Sequence, residues 1–405
     1  MGTTFRFLQF SDVHLDSRLT GSHLAWPREK RDIRRQEIAD LIPKVCAIAR
    51  EREVEAVVIP GDLWDDETIS AETLHRVIEA FARLDPIPIY IAPGNHDFYS
   101  STSFYNDDIL RARGMRPWPK NVTIFRSGDF QTVLHPMRPD VTITGRAFLQ
   151  NVPLTERLLR TPIPRPPAPV SILLFHGSWT EYRERDRFDE GKVSTAPFSR
   201  EELLAQGFSY AALGHYHHYA EIVDDAGRVR AAYSGCPAGR YLSESGEHYV
   251  LLGEITDRGV EKLEKIVVDH RTIRDVEVDV TGAGDEPSVR ERIARKLKES
   301  GAAASDIVFL RLKGRIPRGL PAASLAREFQ REYFHLAVAD STRPDYDLDD
   351  VDPRTTQGRF IREMRRLIEE ERDERKRALL ERALYYGLDA LLHGKVDPIY
   401  DFPEE

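Results

Sequence analysis

Ile87-Pro88-Ile89-Tyr90-Ile91-Ala92-Pro93-Gly94-Asn95-His96-Asp97 is an apolar run that stops at a glycine and gives way to an amide, an imidazole and a carboxylate in succession. The run reads as a buried strand and the glycine as the turn that ends it. Consecutive residues leaving a strand point in different directions. One of the three can therefore ligate a metal, the next can face a substrate, and the third can hold the second in place. A polar loop with a satisfied histidine explains this motif equally well, so the rest of the chain has to decide.

Four more apolar strands end in the same manner. Phe5 to Phe10 runs into Ser11-Asp12-Val13-His14, and Ala56 to Pro60 into Gly61-Asp62. Val170 to Phe175 runs into His176-Gly177, and Tyr210 to Leu213 into Gly214-His215-Tyr216-His217. Helical periodicity over about Pro27–Arg52 and Ser70–Leu84, with Ser70 as N-cap, alternates with the first three strands, which predicts βαβ units and a largely parallel sheet. Sites in such sheets form beyond the carboxyl ends of the strands. Residues spread from Asp12 to His217 are thereby gathered into one cluster. Asp12/His14 and His215/His217 are spaced i, i+2, which puts both members of a pair on one side of an extended segment. Each histidine taken singly is more readily structural; five strand ends together are read as a metal site.

Carboxylate and amide oxygens mixed with imidazoles, and no cysteine among them, suit harder divalent ions: manganese first, with iron or zinc as alternatives. The ligands are too many for one ion. With Asp62 bridging, two ions would sit ~3.5–4 Å apart, the arrangement used for phosphoryl chemistry, where they lower the pKa of a bridging water and neutralise phosphate oxygens. His96 is then free to act as general acid on the leaving-group oxygen, with Asp97 expected to orient its ring.

Asp12-Val13-His14, Gly61-Asp62, Gly94-Asn95-His96-Asp97, His176-Gly177 and Gly214-His215-Tyr216-His217 resemble, in order and in internal spacing, the five motifs of the calcineurin-like metallophosphoesterases, over about residues 5–255. The resemblance implies an α/β fold with a two-sheet β-sandwich core flanked by helices, which amends the single doubly wound sheet suggested by the strand–helix alternation. It also implies that Asp12, His14, Asp62 and His217 hold one metal, that Asp62, Asn95, His176 and His215 hold the other, and that His96 protonates the leaving group. Ser11-Asp12-Val13-His14-Leu15-Asp16, Gly61-Asp62-Leu63-Trp64-Asp65 and Tyr233-Ser234-Gly235-Cys236-Pro237 are similar to the DNA double-strand-break repair nucleases of the SbcD type. Some relatives carry a second catalytic histidine where this chain has Asp65, so that histidine's role does not transfer. Arg240, just beyond the last motif, is read as touching a phosphate or forming a surface salt bridge. His218, His248, His270, His335 and His393 are read as structural or rim residues.

The 405 residues are comfortable for two or more domains, and 41% hydrophobic content supports a sizeable core. The composition shifts near residue 273. The expected organisation is a phosphoesterase domain over 1–272, a small α/β capping domain over 273–345, and an acidic linker with a helical tail over 346–405. In the tail, Phe360, Met364, Leu367 and Ile368 form one apolar stripe, and Leu380, Leu384, Leu388, Leu391 and Leu392 another. The segment 180–200 is charged and reads as a loop. The two cysteines, Cys46 and Cys236, lie far apart, which suggests packing roles in a reducing compartment. Met1 to Thr4 runs directly into a strand, leaving no room for a signal peptide, and no apolar stretch approaches membrane-spanning length; the expected location is the cytoplasm. A net charge of −9 argues mildly against a protein that coats nucleic acid but does not exclude local binding.

The expected function is a two-metal, manganese-dependent DNA phosphodiesterase, an exonuclease and endonuclease in DNA repair acting on ends, single strands or hairpins. By resemblance its partner is an SbcC-type coiled-coil ATPase docked on the tail, and a homodimer is admitted beside it. The alternatives are a phosphatase or nucleotide phosphodiesterase on the same core, and a DNA-end-binding scaffold subunit.

Overall fold

The structure is a computed structural model that describes residues 4–20, 23–182, 194–346, 348, 349, 351–394 and 396. Most of the charged segment expected as a loop (183–193), and Asp347 and Asp350 of the acidic linker, lie outside the described residues. The chain divides into two compact units, Met1–Thr272 and Ile273–Glu405.

The first unit is built on two six-stranded sheets. One runs in the order Gly259–Val267, Tyr249–Thr256, Phe5–Gln9, Ala56–Ile59, Ile89–Ile91, Val122–Ile124; the other runs Gln131–His135, Arg138–Gly145, Val170–His176, Tyr210–Gly214, Val229–Tyr233, Ala220–Val223. In each sheet the central strands are parallel and the antiparallel pairs lie toward the edges. Alternation along the strands makes the two sheets a sandwich. Phe5, Phe7, Val58 and Tyr90 of the first sheet form one core with Ile143, Ile172, Leu174 and Ala212 of the second. The opposite faces are covered separately. Leu8, Val57 and Ile89 pack with Ile42 and Val45 of helix Arg28–Glu51 and with Leu74 and Phe81 of helix Ala71–Arg83. Leu173, Phe175 and Leu213 pack with Leu203 and Phe208. Burying apolar side chains on both faces of both sheets explains why these strands read as unbroken hydrophobic runs. Inside the sandwich Gln9 ties the layers together: its side-chain amide donates to Ala232 O at 2.8 Å, and its carbonyl accepts from Tyr210 OH at 2.6 Å.

Helix Arg28–Glu51 also secures the segment behind the site. Arg34 is buried, donates to both oxygens of Asp269 at 2.8 and 2.6 Å, and donates to Gly239 O; Gly239 N–H in turn donates to Asp269. Burial alone would push the Asp269 carboxyl up, but the adjacent Arg34 guanidinium outweighs it and holds the carboxyl below its usual range. Removing one member of a buried pair strands the other. Arg34→Ala is therefore expected to destabilise the first unit by about 3–5 kcal/mol, read as a lowered denaturant midpoint. A loss under about 1 kcal/mol would show the pair to be solvated in effect.

In the second unit, parallel strands Ile273–Asp279, Ile307–Ile316 and His335–Pro344 form one sheet packed against helices Glu286–Glu299 and Ala322–Arg327. The last strand is ten residues long, where the apolar Leu336–Val338 alone suggests a short one. Its continuation, Asp340 to Arg343, is polar and half-buried, and pairs with Leu312 to Arg315. Helix Ala322–Arg327 continues as a 3-10 turn over Glu328–Glu332. The tail forms two helices, Thr356–Glu370 and Glu374–His393, joined around Ile361, Met364, Leu384 and Leu388. Much of the two apolar stripes is thus spent on mutual packing. Among the described residues, no helix is long and apolar enough to cross a membrane.

Candidate metal centre

Five of the parallel strands, Phe5–Gln9, Ala56–Ile59, Ile89–Ile91, Val170–His176 and Tyr210–Gly214, bring their carboxyl ends to one edge of the sandwich, and the side chains singled out in the sequence meet there. Three groups of ligand atoms, Asp12/His14/His217, His14/Asp62/His96 and Asp12/Asp62/His176, each lie within 4.8 Å of one another. Asp62 is central: its Oδ2 is 3.4 Å from His176 Nε2 and 3.7 Å from His14 Nε2. His217 Nε2 stands 4.0 Å from Asp12 Oδ1, and Asn95 Oδ1 3.1 Å from His176 Nε2. The His215 ring is edge-on to His176 at 5.4 Å between centroids. All of these except the half-exposed His96, Asn95 and the rim of His217 are buried.

The backbone is bent to achieve this. Asp12, His14, Asp62 and His215 have φ of 55°, 48°, 53° and 115°, a region costly for residues with a Cβ and typical of strained functional loops. Packing leaves no room for side chains at the adjoining glycines. A Cβ on Gly94 would lie 2.3 Å from Asp62 Oδ1, and one on Gly214 would lie 2.0 Å from Pro60 O.

Behind the histidines sits a second tier of acceptors. His14 Nδ1 is 2.6 Å from Asp65 Oδ1, His217 Nδ1 is 2.6 Å from Glu244 Oε1, and His176 Nδ1 is 2.9 Å from Pro60 O. Each bond fixes the tautomer and turns the Nε2 lone pair toward the centre, as in carboxylate–histidine–metal arrangements. Burial, reinforced by the Arg240 charge, lowers the pKa of His14 and favours the neutral, ligating form. For Asp62, burial pushes upward, but the imidazoles of His176, His96 and His14 outweigh it and hold the carboxyl well below its ordinary range. His14 Nε2 and Asp62 Oδ2 are buried without a hydrogen-bond partner, an arrangement that is costly unless a cation sits between them. The donor set of oxygens and imidazoles therefore fits divalent metal ions.

Two readings change. Asp97 was expected to orient the His96 ring; instead its carboxylate accepts from the backbone N–H groups of Asp62, Leu63 and Gly94 and from Tyr105 OH at 2.7 Å. It clamps two motif loops together. Burial and the nearby Asp62 raise its pKa to about 6, against the pull of those donors. The carboxylate beside the His96 ring is Asp65, with Oδ1 3.3 Å from His96 Nδ1. Arg240 touches neither surface nor solvent: it is buried, paired with Glu244 at 2.6 Å, and lies 3.1 Å from His217 Nδ1. Sequence reasoning missed Glu244 altogether; its only signal was its place four residues after Arg240. His218 and His248 are structural, with Nε2 of each bonded to a main-chain carbonyl, Ser243 O and Glu244 O.

A family model for calcineurin-like phosphoesterases matches residues 5–219. Over 384 residues, 87% of this chain and 86% of its relative, the sequence is 26% identical to YhaO, a metallophosphoesterase of Bacillus subtilis strain 168. It is also 26% identical over 236 residues to the DNA double-strand break repair protein Mre11 of Sulfurisphaera tokodaii, covering 55% of this chain. The Mre11 of Saccharolobus solfataricus is 25% identical over 238 residues, covering 57%. The chain spans about half the length of each Mre11, 52% and 54%.

Proposed function

This chain belongs to the calcineurin-like phosphoesterase family, a family of metal-dependent phosphoester hydrolases, and we propose that it is a two-metal DNA phosphodiesterase, with manganese as the metal. The observation that carries the chemistry is the buried His14–Asp62–His176 contact, with partnerless ligand atoms facing inward, beside a half-exposed histidine. DNA as substrate is supported by the resemblance to the two Mre11 proteins.

In this reading Asp12, His14, Asp62 and His217 hold one ion, and Asp62, Asn95, His176 and His215 the other. Ions held there would supply positive charge to the phosphoryl oxygens and would lower the pKa of a bound water. The chain's own residues do the rest. The His96 side chain is 43% exposed, so a substrate can reach it. Nδ1 faces Asp65, and Nε2 is the atom assigned to protonate the departing oxygen. Asp65 acts as a positioning residue, holding His96 and His14 from a single oxygen.

Asp65→Asn keeps an acceptor for one ring but loses the charge. Turnover is expected to fall about tenfold more on diesters with alkoxide leaving groups than on p-nitrophenyl esters, whose leaving group needs no proton and which share only the loss of the His14 anchor. An equal fall on both would remove Asp65 from proton transfer.

The tail supports a docking role for a partner ATPase of the SbcC type: Leu379, Leu391 and Leu392 remain exposed on helix Glu374–His393 after the two helices have packed. The substrate is tested by incubating the full chain and manganese with labelled single-stranded, duplex and hairpin DNA beside bis(p-nitrophenyl) phosphate. Strand scission is the expected result. Hydrolysis of the ester alone would point to a phosphatase or nucleotide phosphodiesterase, and DNA binding without cleavage to a scaffold subunit.

A further inference from the structure

A cleft of about 560 Å³ opens at the amino-terminal ends of strands in the second sheet, walled chiefly by the loop 163–169, Ser171, Phe208, Ser209, Arg230 and Asp257. Ser171 and the metal-centre residue His176 lie five positions apart on one strand, so roughly 17 Å separates the two. The cleft is a separate site. Its wall is stiff: Pro164, Pro166, Pro167 and Pro169 fix four of six consecutive φ angles. Ile163 N–H donates to Gln206 Oε1 at 2.9 Å at one end of that loop, and Val170 enters the sheet at the other.

Arg165 lies flat on the Phe208 ring, its Cζ 4.0 Å from the centroid, with one Nη donating to Gly207 O at 2.9 Å. Burial, with no carboxylate nearby to offset it, lowers its pKa. Arg230 donates to Arg258 O at 3.2 Å and stands 3.8 Å from Asp224, whose oxygens already accept from Arg228 and from Ala226 N–H. Ser171 and Ser209 are 5% and 7% exposed, and their hydroxyls accept from each other's main-chain N–H at 3.3 and 3.1 Å. Each keeps a hydroxyl hydrogen to donate. The cleft thus holds more donors and more positive charge than its own acceptors match.

We propose that this cleft binds a small phosphate monoester of nucleotide size, with its phosphate on Arg165 and Arg230. A guanidinium fork matches two phosphate oxygens at once, and stacking on Phe208 holds the Arg165 plane in place for it. The proline-rich wall has little freedom to lose on binding. The volume lies within the ~300–1,000 Å³ of small-molecule pockets, which is more than an inorganic ion fills. Asp257, the one carboxylate among the lining residues, suits hydroxyl groups on the rest of the ligand, such as those of a ribose. The site stands whether or not the metal centre cuts DNA.

The test titrates the phosphonate analogue of AMP, in which a methylene replaces the bridging oxygen and blocks hydrolysis, into the manganese-loaded full chain by calorimetry, with adenosine alongside. Wild type is expected to take up one equivalent of the analogue more than Arg165→Gln/Arg230→Gln, whatever the metal centre binds, and to take up no such equivalent of adenosine. Arg230→Gln alone is expected to weaken the extra site about tenfold, the loss of one charge-assisted contact, and it decides the matter should the double variant fail to fold. Unchanged manganese content in both variants separates this loss from damage to the metal centre. Equal stoichiometry and affinity in wild type and variants, or adenosine taken up at the same site, overturns the assignment.

Discussion

His96→Ala is expected to bind the same complement of divalent ions as wild type and to lose about 10²–10⁴-fold in turnover of diesters with poor leaving groups. The expectation follows from how the residue is held. Its main-chain N–H donates to Asp62 Oδ1 at 3.0 Å, so removing the ring leaves that bond, and Asp62, in place. The ring is the exposed part, and it stands against Asp65 at 3.3 Å. Metal content by mass spectrometry and single-turnover cleavage of a dinucleotide read the two halves separately. Unchanged turnover would remove His96 from the chemistry. Lost metal would instead place it among the ligands, which its grouping with His14 and Asp62 geometrically permits.

Gly94→Ala is expected to show the opposite signature, losing metal and activity together. The new Cβ would fall 2.3 Å from Asp62 Oδ1 and 2.9 Å from Asp62 N. The backbone there cannot easily retreat, because Gly94 N–H and Asp62 N–H are both bonded to Asp97 Oδ1, at 2.7 and 3.1 Å. The Asp62 carboxylate must swing out of the position it shares between His14 and His176. Manganese content should drop by about half or more and activity by more than about 100-fold, with a destabilisation of about 1–3 kcal/mol from overpacking. A variant with full metal content would show that Asp62 does not bridge.

Much of the candidate site was legible because a parallel strand delivers whatever follows its last residue to one edge of a sheet. Apolar runs such as Val170–Phe175, buried on both faces, announce themselves, and the polar residue after each run stands out. Gln131–His135, half exposed with no run of its own, gave no comparable signal. Adjacency misled at Asp97. Its neighbour in sequence is His96, but its side chain leaves the turn in another direction, toward the N–H groups of both motif loops. Glu244, and the contact Asp65 makes, escaped for the converse reason: these carboxylates meet His217 and His14 across 27 and 51 positions of chain.

What this polymer settled in one dimension was the order of its strands and the identity of the groups at their ends, since burial on two faces and the restrictions of turn geometry act locally and leave a periodic trace. Only folding in three dimensions decided which acceptor stands behind each imidazole, which glycine presses on a carboxylate, and that polar residues after Val338 complete a strand. Those outcomes depend on packing between segments remote in the chain, where contact energies accumulate without any pattern along it.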